Sequence, residues 1–352
     1  MVIAGAGLAG ARCAETLRAL GFEGRIVLVG NEPVPPYERP ALSKEFLLGT
    51  REAAHLSLRP AAFWEQQRIE LLLGRRVVAV RPRLAVLEGG RPLPWDAFVL
   101  ATGARARRLP IQTPPGVHVL RTLSDAAVLR DALRARSRLV VIGGGFVGAE
   151  VASSARALGL EVTILELGHA PFAQALGNEV ADLLSRRYRA HGVDLRTRIA
   201  ATGFRAGHDG SVRAVRLGDG HEVRCDLALA SVGVEPVREL FDHEPGAGAY
   251  VCGDASGSGH WTAAAADAGA VAHRILQRDP PAAPPPFFWS DQFGLRLQLV
   301  GDPSRAGRVE LDGSEASFVA RYLAHDGRTV ALCAANRPGD VGAFRRELAF
   351  AA

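Results

Sequence analysis

Gly5-Ala6-Gly7-Leu8-Ala9-Gly10 and Gly143-Gly144-Gly145-Phe146-Val147-Gly148 repeat one spacing, G-x-G-x-x-G, at two places in a single chain. Each follows an apolar run that reads as a strand, from Val2 in the first case and over Leu139 to Ile142 in the second. Each opens a helical stretch. About 20 residues on, each is followed by a further apolar strand closed by an acid: Ile26 to Gly30 with Glu32, and Val162 to Leu165 with Glu166. One such spacing is a weak signal; two in complete strand–glycines–helix–strand–acid context are a strong one. The glycines allow a tight turn and let backbone amides approach a pyrophosphate at a helix N-terminus, while the acid accepts ribose hydroxyls. Two dinucleotides in one protein point to a flavin and a nicotinamide placed to exchange a hydride.

Composition narrows the class. At 352 residues the chain can fill two or three domains with substantial cores. Its 48% hydrophobic and 22% charged content is that of an ordinary globular protein. No apolar run reaches the roughly 18 residues of a membrane span, and no charged-then-apolar leader precedes the first strand. A cytoplasmic location without membrane contact is therefore expected. Cys13, Cys225, Cys252 and Cys333 are far apart and form no CxxC or CxxxxC pair, which argues against a zinc site, a disulfide framework and a dithiol reductase. Each reads as a small buried hydrophobe.

The net charge of +5 would speed encounter with acidic partners. No nucleic-acid motif or aromatic interleaving accompanies the arginine groups, so a nucleic-acid partner is not expected. Among 42 basic residues there is a single lysine, Lys44, the others being arginine. A lysine offers a compact ammonium with three donors, which arginine does not replace, so position 44 is expected to need that group.

The order of elements predicts an α/β protein with two Rossmann-like dinucleotide-binding domains and a C-terminal α+β module. Residues 69 to 100 alternate as strands and end in Ala101-Thr102-Gly103-Ala104. Ser124 to Ala135 reads as an amphipathic helix before the second fingerprint, and a helix is predicted from Asn178 to His191. A long alanine-rich helix is predicted from Thr262 to Gln277, with Thr262 as its cap. Asp279 to Pro286 is a proline-rich linker, followed by strands at Leu295 to Val300, Ala316 to Ala324 and Thr329 to Ala334, and a helix from Val341 to Leu348.

Pro36-Tyr37-Glu38-Arg39-Pro40-Ala41-Leu42-Ser43-Lys44, Leu100 to Ala104, Leu120-Arg121-Thr122-Leu123, Gly253-Asp254, His260-Trp261-Thr262 and Phe288-Trp289-Ser290-Asp291-Gln292 stand in this order along the chain. With the two fingerprints, they make the sequence resemble the ferredoxin-reductase branch of the flavoprotein pyridine-nucleotide oxidoreductases, which includes the putidaredoxin, rhodocoxin and dioxygenase-ferredoxin reductases. The resemblance implies an FAD domain (1–118 and 232–280) interrupted by an NAD domain (119–231), with an interface module at 281–352. It implies FAD at the first fingerprint, NADH at the second, and an acidic [2Fe-2S] ferredoxin as acceptor, the chain acting as a monomer or weak dimer.

The resemblance also supplies residue roles. Lys44 and Glu150 are the implied catalytic pair, an ammonium near the flavin and a glutamate near the nicotinamide. Cofactor contacts are implied at Gly5, Gly7, Ala9, Gly10, Asn31, Glu32, Arg39, Val77, Thr102, Gly103, Arg121, Asp254 and Trp261. They are implied further at Gly143, Gly145, Val147, Gly148, Glu166 and Gly233. Asn31 stands where the family commonly has an acid, which leaves Glu32 as the ribose ligand. Arg305, Arg308, Arg345 and Arg346 lie in the interface module and are expected to help dock the acidic partner. Family members usually carry longer segments before Tyr250 and between Asp254 and His260, and Phe241 to Ala249 is here a glycine-rich stub. Two other readings stay open: a flavoenzyme acting on a small organic substrate in biosynthesis, and a slow NADH-sensing flavoprotein of the apoptosis-inducing-factor type.

Overall fold

The structure, a computed structural model, describes residues 1–240 and 247–351. It divides into two compact units: Met1–Glu38, Ala54–Arg105 and Val234–Pro284 form the first, and Arg39–Ala53, Ala106–Gly233 and Pro285–Ala352 the second. These limits divide the chain into two units where three domains, with boundaries at 118, 231 and 281, are expected from sequence. Residues 39–53 and the C-terminal module pack within the second unit, so the Pro36–Lys44 motif is shared between the two.

The first unit is built on a five-stranded parallel sheet in the order Ala249–Val251, Phe98–Leu100, Val2–Ala4, Ile26–Val29, Ile69–Leu72. Its central strands are apolar without alternation because both faces are covered. The first fingerprint helix, Leu8–Ala19, buries Ala11, Cys13, Ala14 and Leu17 in one cluster with Ala268, Val271 and Ala272 of the helix Trp261–Ile275. On the other face a three-stranded antiparallel sheet adds Val77, Val80, Ala85 and Leu87 to a core with Val2, Ala4 and Leu100.

The second unit repeats the plan. Its parallel sheet runs Val193–Thr197, Glu161–Glu166, Arg138–Ile142, Leu227–Ala230, Val117–His118. The C-terminal module is a five-stranded antiparallel sheet, Phe287–Gln292, Leu295–Gly301, Thr329–Ala335, Ser317–Leu323, Arg308–Ser314, followed by the helix Pro338–Ala351. Leu297, Phe318 and Tyr322 of that sheet, with Phe293 in the turn joining its first two strands, share one buried cluster with Leu139, Val151, Leu184 and Tyr188.

Some expected elements differ. The alanine-rich helix begins at Trp261 with His260 at the N-cap in extended backbone (φ −136°, ψ 149°), so Thr262 lies inside the helix and does not cap it. The helix expected from Asn178 to His191 begins where expected: Gly177 leaves helical backbone (φ 77°, ψ 165°) and separates a short helical turn from Ala173 from the helix that runs on to Ala190. Just after the Pro36–Lys44 motif, a short helix, Glu45–Leu48, stops at Gly49 in left-handed backbone (φ 75°), which glycine adopts without strain. The edge strand Arg308–Ser314 is almost wholly exposed and carries only Val309 and Leu311 as an apolar signal. Within the glycine-rich stub, residues 241–246 lie outside those described. No helix among the described residues is long and apolar enough to cross a membrane.

Candidate active site

The two glycine loops have the same internal mechanics. Gly5 and Gly143 turn through positive φ (119° and 98°), and a Cβ on either would strike a carbonyl of the neighbouring strand's exit, Ala101 O at 2.0 Å or Ser231 O at 2.3 Å. Gly10 and Gly148 allow the helix to close on its own loop, since a Cβ there would meet Gly5 O at 2.0 Å or Gly143 O at 2.2 Å. Gly7 and Gly145 are different. Their backbone (φ −90°, ψ −167° and φ −69°, ψ −176°) suits any residue, yet nothing stands within 4 Å of a Cβ placed on them. Neither strain nor a protein neighbour explains glycine there; an open approach to the helix N-terminus does, and a pyrophosphate fits it. The residues present thus fit two dinucleotides.

Around the first loop, Glu32 closes its strand and accepts a hydrogen bond from the Tyr37 hydroxyl at 2.8 Å, with Asn31 exposed beside it. Gly253 turns at φ 71°, and a Cβ on it would come to 2.6 Å of the Ala9 Cβ. That close approach brings Asp254 next to the first fingerprint helix, and Trp261 opens the helix that packs on it. Asp267 holds the same turn by accepting from Gly253 N at 2.9 Å and Ser256 Oγ at 2.7 Å. Thr102 and Gly103 are pinned to one residue: Thr102 Oγ1 donates to Val237 O at 2.6 Å, and Val237 N donates to Gly103 O at 3.0 Å. Val77 is buried in the core beneath the sheet.

Around the second loop, Glu166 ends its strand and its carboxylate accepts from Gly144 N at 2.9 Å and Gly168 N at 2.7 Å. Val147 is exposed on the first turn of the second fingerprint helix, Phe146–Ala157. Gly233 has positive φ (98°) and open space before its Cβ position, while its carbonyl accepts from Arg107 N at 3.0 Å. Arg39 and Arg121, 82 residues apart, are joined by Arg39 Nη1 donating to Arg121 O at 2.6 Å.

Lys44 meets Glu150. The ammonium lies 3.0 Å from Glu150 Oε1, with side chains only 12% and 7% exposed. Three features produce this: Lys44 is the N-cap residue of Glu45–Leu48, Glu150 faces inward from the second fingerprint helix, and the strand Phe287–Gln292 covers the carboxylate. Ser43 Oγ donates to Glu150 Oε2 at 2.5 Å and Ser290 Oγ to Oε1 at 2.7 Å. Sequence reasoning named Lys44 and Glu150 but passed over Ser43 and Ser290 as site residues; serine types carry no periodic signal, and only the fold brings them together.

The four cysteines are free and buried. Burial pushes the Cys13 thiol up to about 12, so no thiolate forms there at neutral pH. Cys225 rises similarly to about 12, burial again the main cause with the Asp226 charge adding.

Residues 1–250 match the family model described as pyridine nucleotide-disulphide oxidoreductase, and residues 287–352 match the reductase C-terminal model. The chain belongs to the pyridine nucleotide-disulphide oxidoreductase family. It is 36% identical to the ferredoxin–NAD(+) reductase component of the p-cumate 2,3-dioxygenase system of Pseudomonas putida, over 98% of this chain and 92% of that protein. It is 33% identical to rhodocoxin reductase of Rhodococcus erythropolis, over 99% of this chain and 89% of that one. Among solved structures it is similar to the covalent putidaredoxin reductase–putidaredoxin complex, with a TM-score of 0.92 at 34% identity, covering 98% of this chain and 91% of that chain. The expected ferredoxin-reductase resemblance therefore holds over both units.

Proposed function

We propose that this chain is an FAD-dependent NADH:ferredoxin oxidoreductase that supplies electrons to an oxygenase system. The observation that carries this reading is the pair of open glycine cradles, Gly7 and Gly145, in a chain similar over almost its full length to ferredoxin–NAD(+) reductases. Bound FAD would supply the hydride-accepting and single-electron chemistry that links NADH to an iron–sulfur partner. The protein's part is holding and charge. Backbone amides at the two loops hold the pyrophosphates, Glu32 and Glu166 accept ribose hydroxyls, and Asp254 serves the ribityl chain. Asn31, Arg39, Val77, Thr102, Gly103, Arg121 and Trp261 complete the FAD contacts, and Val147 and Gly233 those of NADH. Lys44 places a fixed ammonium where negative charge develops, and Glu150 orients it; such preorganised charge is an effective stabiliser because it needs no rearrangement during the reaction.

Glu166 also sets the nucleotide preference. A 2′-phosphate would meet a carboxylate already held by two amides, so NADH is favoured. We place the protein in the cytoplasm, where NADH is regenerated and buried free thiols such as these persist. The test is steady-state turnover of the purified yellow protein with NADH against a [2Fe-2S] ferredoxin and against ferricyanide. Turnover with both acceptors, and kcat/KM for NADH well above that for NADPH, supports the reading. Turnover with ferricyanide alone would assign the chain to a small-molecule acceptor.

A further inference from the structure

Apart from aromatic hydroxyls and ring nitrogens, six polar or charged side chains are buried among the described residues, and five of them, Ser43, Glu150, Ser154, Ser290 and Gln292, form one network. Buried ion pairs are seldom retained for stability, because packed apolar residues of similar volume usually serve as well. Their concentration around one carboxylate asks for another reason. We propose that Ser290, held in turn by Gln292 and Tyr188, is a positioning residue that fixes the Glu150 carboxylate and through it the Lys44 ammonium. The inference rests on the reductase reading above and goes beyond it in giving the C-terminal module a part in the flavin chemistry.

The hydrogen bonds have only one consistent direction. Gln292 Nε2 can only donate, and it donates to Ser290 Oγ at 3.0 Å. The single Ser290 hydrogen is thereby left for Glu150 Oε1, 2.7 Å away. Gln292 Oε1 can only accept, and the Tyr188 hydroxyl donates to it. Full burial, with the Glu150 charge adding, raises the Tyr188 hydroxyl well above its ordinary value, so it remains a donor. Were the Gln292 amide turned over, its oxygen would draw the Ser290 hydrogen away from Glu150. Tyr188 therefore locks the amide, the amide locks the serine, and the serine shares Glu150 Oε1 with Lys44. The strand that carries Ser290 is itself anchored on the second fingerprint helix, where the Phe288 ring lies 4.0 Å from that of Phe146.

The test is an anaerobic redox titration of the FAD-loaded protein. Ser290→Ala is expected to lower the flavin midpoint potential by about 30 mV, a tenfold change in the two-electron equilibrium, with FAD content unchanged. Ser290→Thr keeps the hydroxyl and restores the wild-type value. Tyr188→Phe removes one oxygen from the far end of the network and shifts the potential the same way by less. In a Lys44→Met background Ser290→Ala adds no further shift, since it acts through that ammonium. Unchanged potentials in Ser290→Ala and Tyr188→Phe, or a full additional shift on top of Lys44→Met, would overturn the proposal. Should Ser290→Ala fail to fold, Tyr188→Phe alone and combined with Lys44→Met decides by the same signs. A wild-type chain that takes up no FAD would overturn the reductase reading, and this inference with it.

Discussion

The two fingerprints share their loops and differ two residues beyond the third glycine. In the first, that position is Arg12, part-exposed and paired with Glu15 at 2.7 Å on its own helix. In the second it is Glu150, buried, with Lys44 and two serines brought to it from segments 107 and 140 residues away. The glycine geometry is a local backbone device for holding a dinucleotide, so it can be used twice unchanged. At the second loop, tertiary packing adds a buried ion pair that the first loop's helix does not carry at the matching position. In the proposed function the first unit holds FAD, and the second holds NADH and the charge that assists transfer.

The largest expected effects separate the two loops. Gly7→Val fills the first cradle and should give a colourless protein that takes up no FAD. Gly145→Val should leave a yellow protein whose kcat/KM for NADH falls on the order of a hundredfold, equivalent to about 2.7 kcal/mol. FAD content by absorbance and flavin reduction by NADH report each, and loss of FAD from Gly145→Val would break the division of labour.

The matched pair at the differing position comes next. Glu150→Gln leaves the Lys44 ammonium without its carboxylate in a buried site, where removal of one partner costs about 3 kcal/mol. Arg12→Gln removes a surface-type contact worth about 0.5 kcal/mol. Chemical denaturation of the two variants measures both, and similar losses would mean that the two positions are not specialised.

The arginines expected to dock the partner give a smaller effect. Arg345 already lies over the Phe287 ring at 4.7 Å, and Arg308 pairs with Glu310 at 2.9 Å. Charge reversal at Arg345 and Arg346 should lower the second-order rate with an acidic ferredoxin, and salt should do the same, because exposed charges are screened over about 8 Å at physiological ionic strength. Ferricyanide turnover should hold. Equal losses with both acceptors would move the docking surface elsewhere.

The smallest effect concerns His118, which closes the edge strand of the second parallel sheet and whose imidazole burial holds below its ordinary 6.5. Above that value the ring is neutral in the folded and unfolded chain alike. As pH falls through 6.5 the unfolded chain takes a proton that the folded one resists, so stability drops. His118→Gln should flatten the stability profile below about pH 6.5; an unchanged slope would show the ring is not the titrating group.

What the sequence made legible was local. The glycine loops, the acids closing the following strands and the alternating apolar runs are short-range patterns, and each was found where it was expected. Lys44 stood out through composition, and its pairing with Glu150 through family resemblance. Ser43, Ser290, Gln292 and Tyr188 did not stand out as a set, because their convergence depends on a strand of the C-terminal sheet packing on a helix about 140 residues earlier in the chain. Thr262 was misplaced because a good capping residue just before the alanine-rich run outweighed the extended backbone at His260, two residues earlier, which only the surrounding fold imposes. Arg308–Ser314 was missed because an edge strand exposed along its length has no buried face to mark it.

The central claim is that electrons enter from NADH at the second fingerprint, pass to the flavin at the first, and leave to an iron–sulfur protein. Anaerobic stopped-flow with two successive mixings tests it directly. The FAD-loaded protein is mixed with NADH and then with excess oxidised ferredoxin, while flavin and ferredoxin absorbance are followed separately. The account predicts that NADH bleaches the flavin in one phase, and that flavin colour returns as ferredoxin is reduced, two molecules for each flavin. A flavin that NADH leaves oxidised, or one that is bleached but does not pass its electrons to ferredoxin, would contradict it.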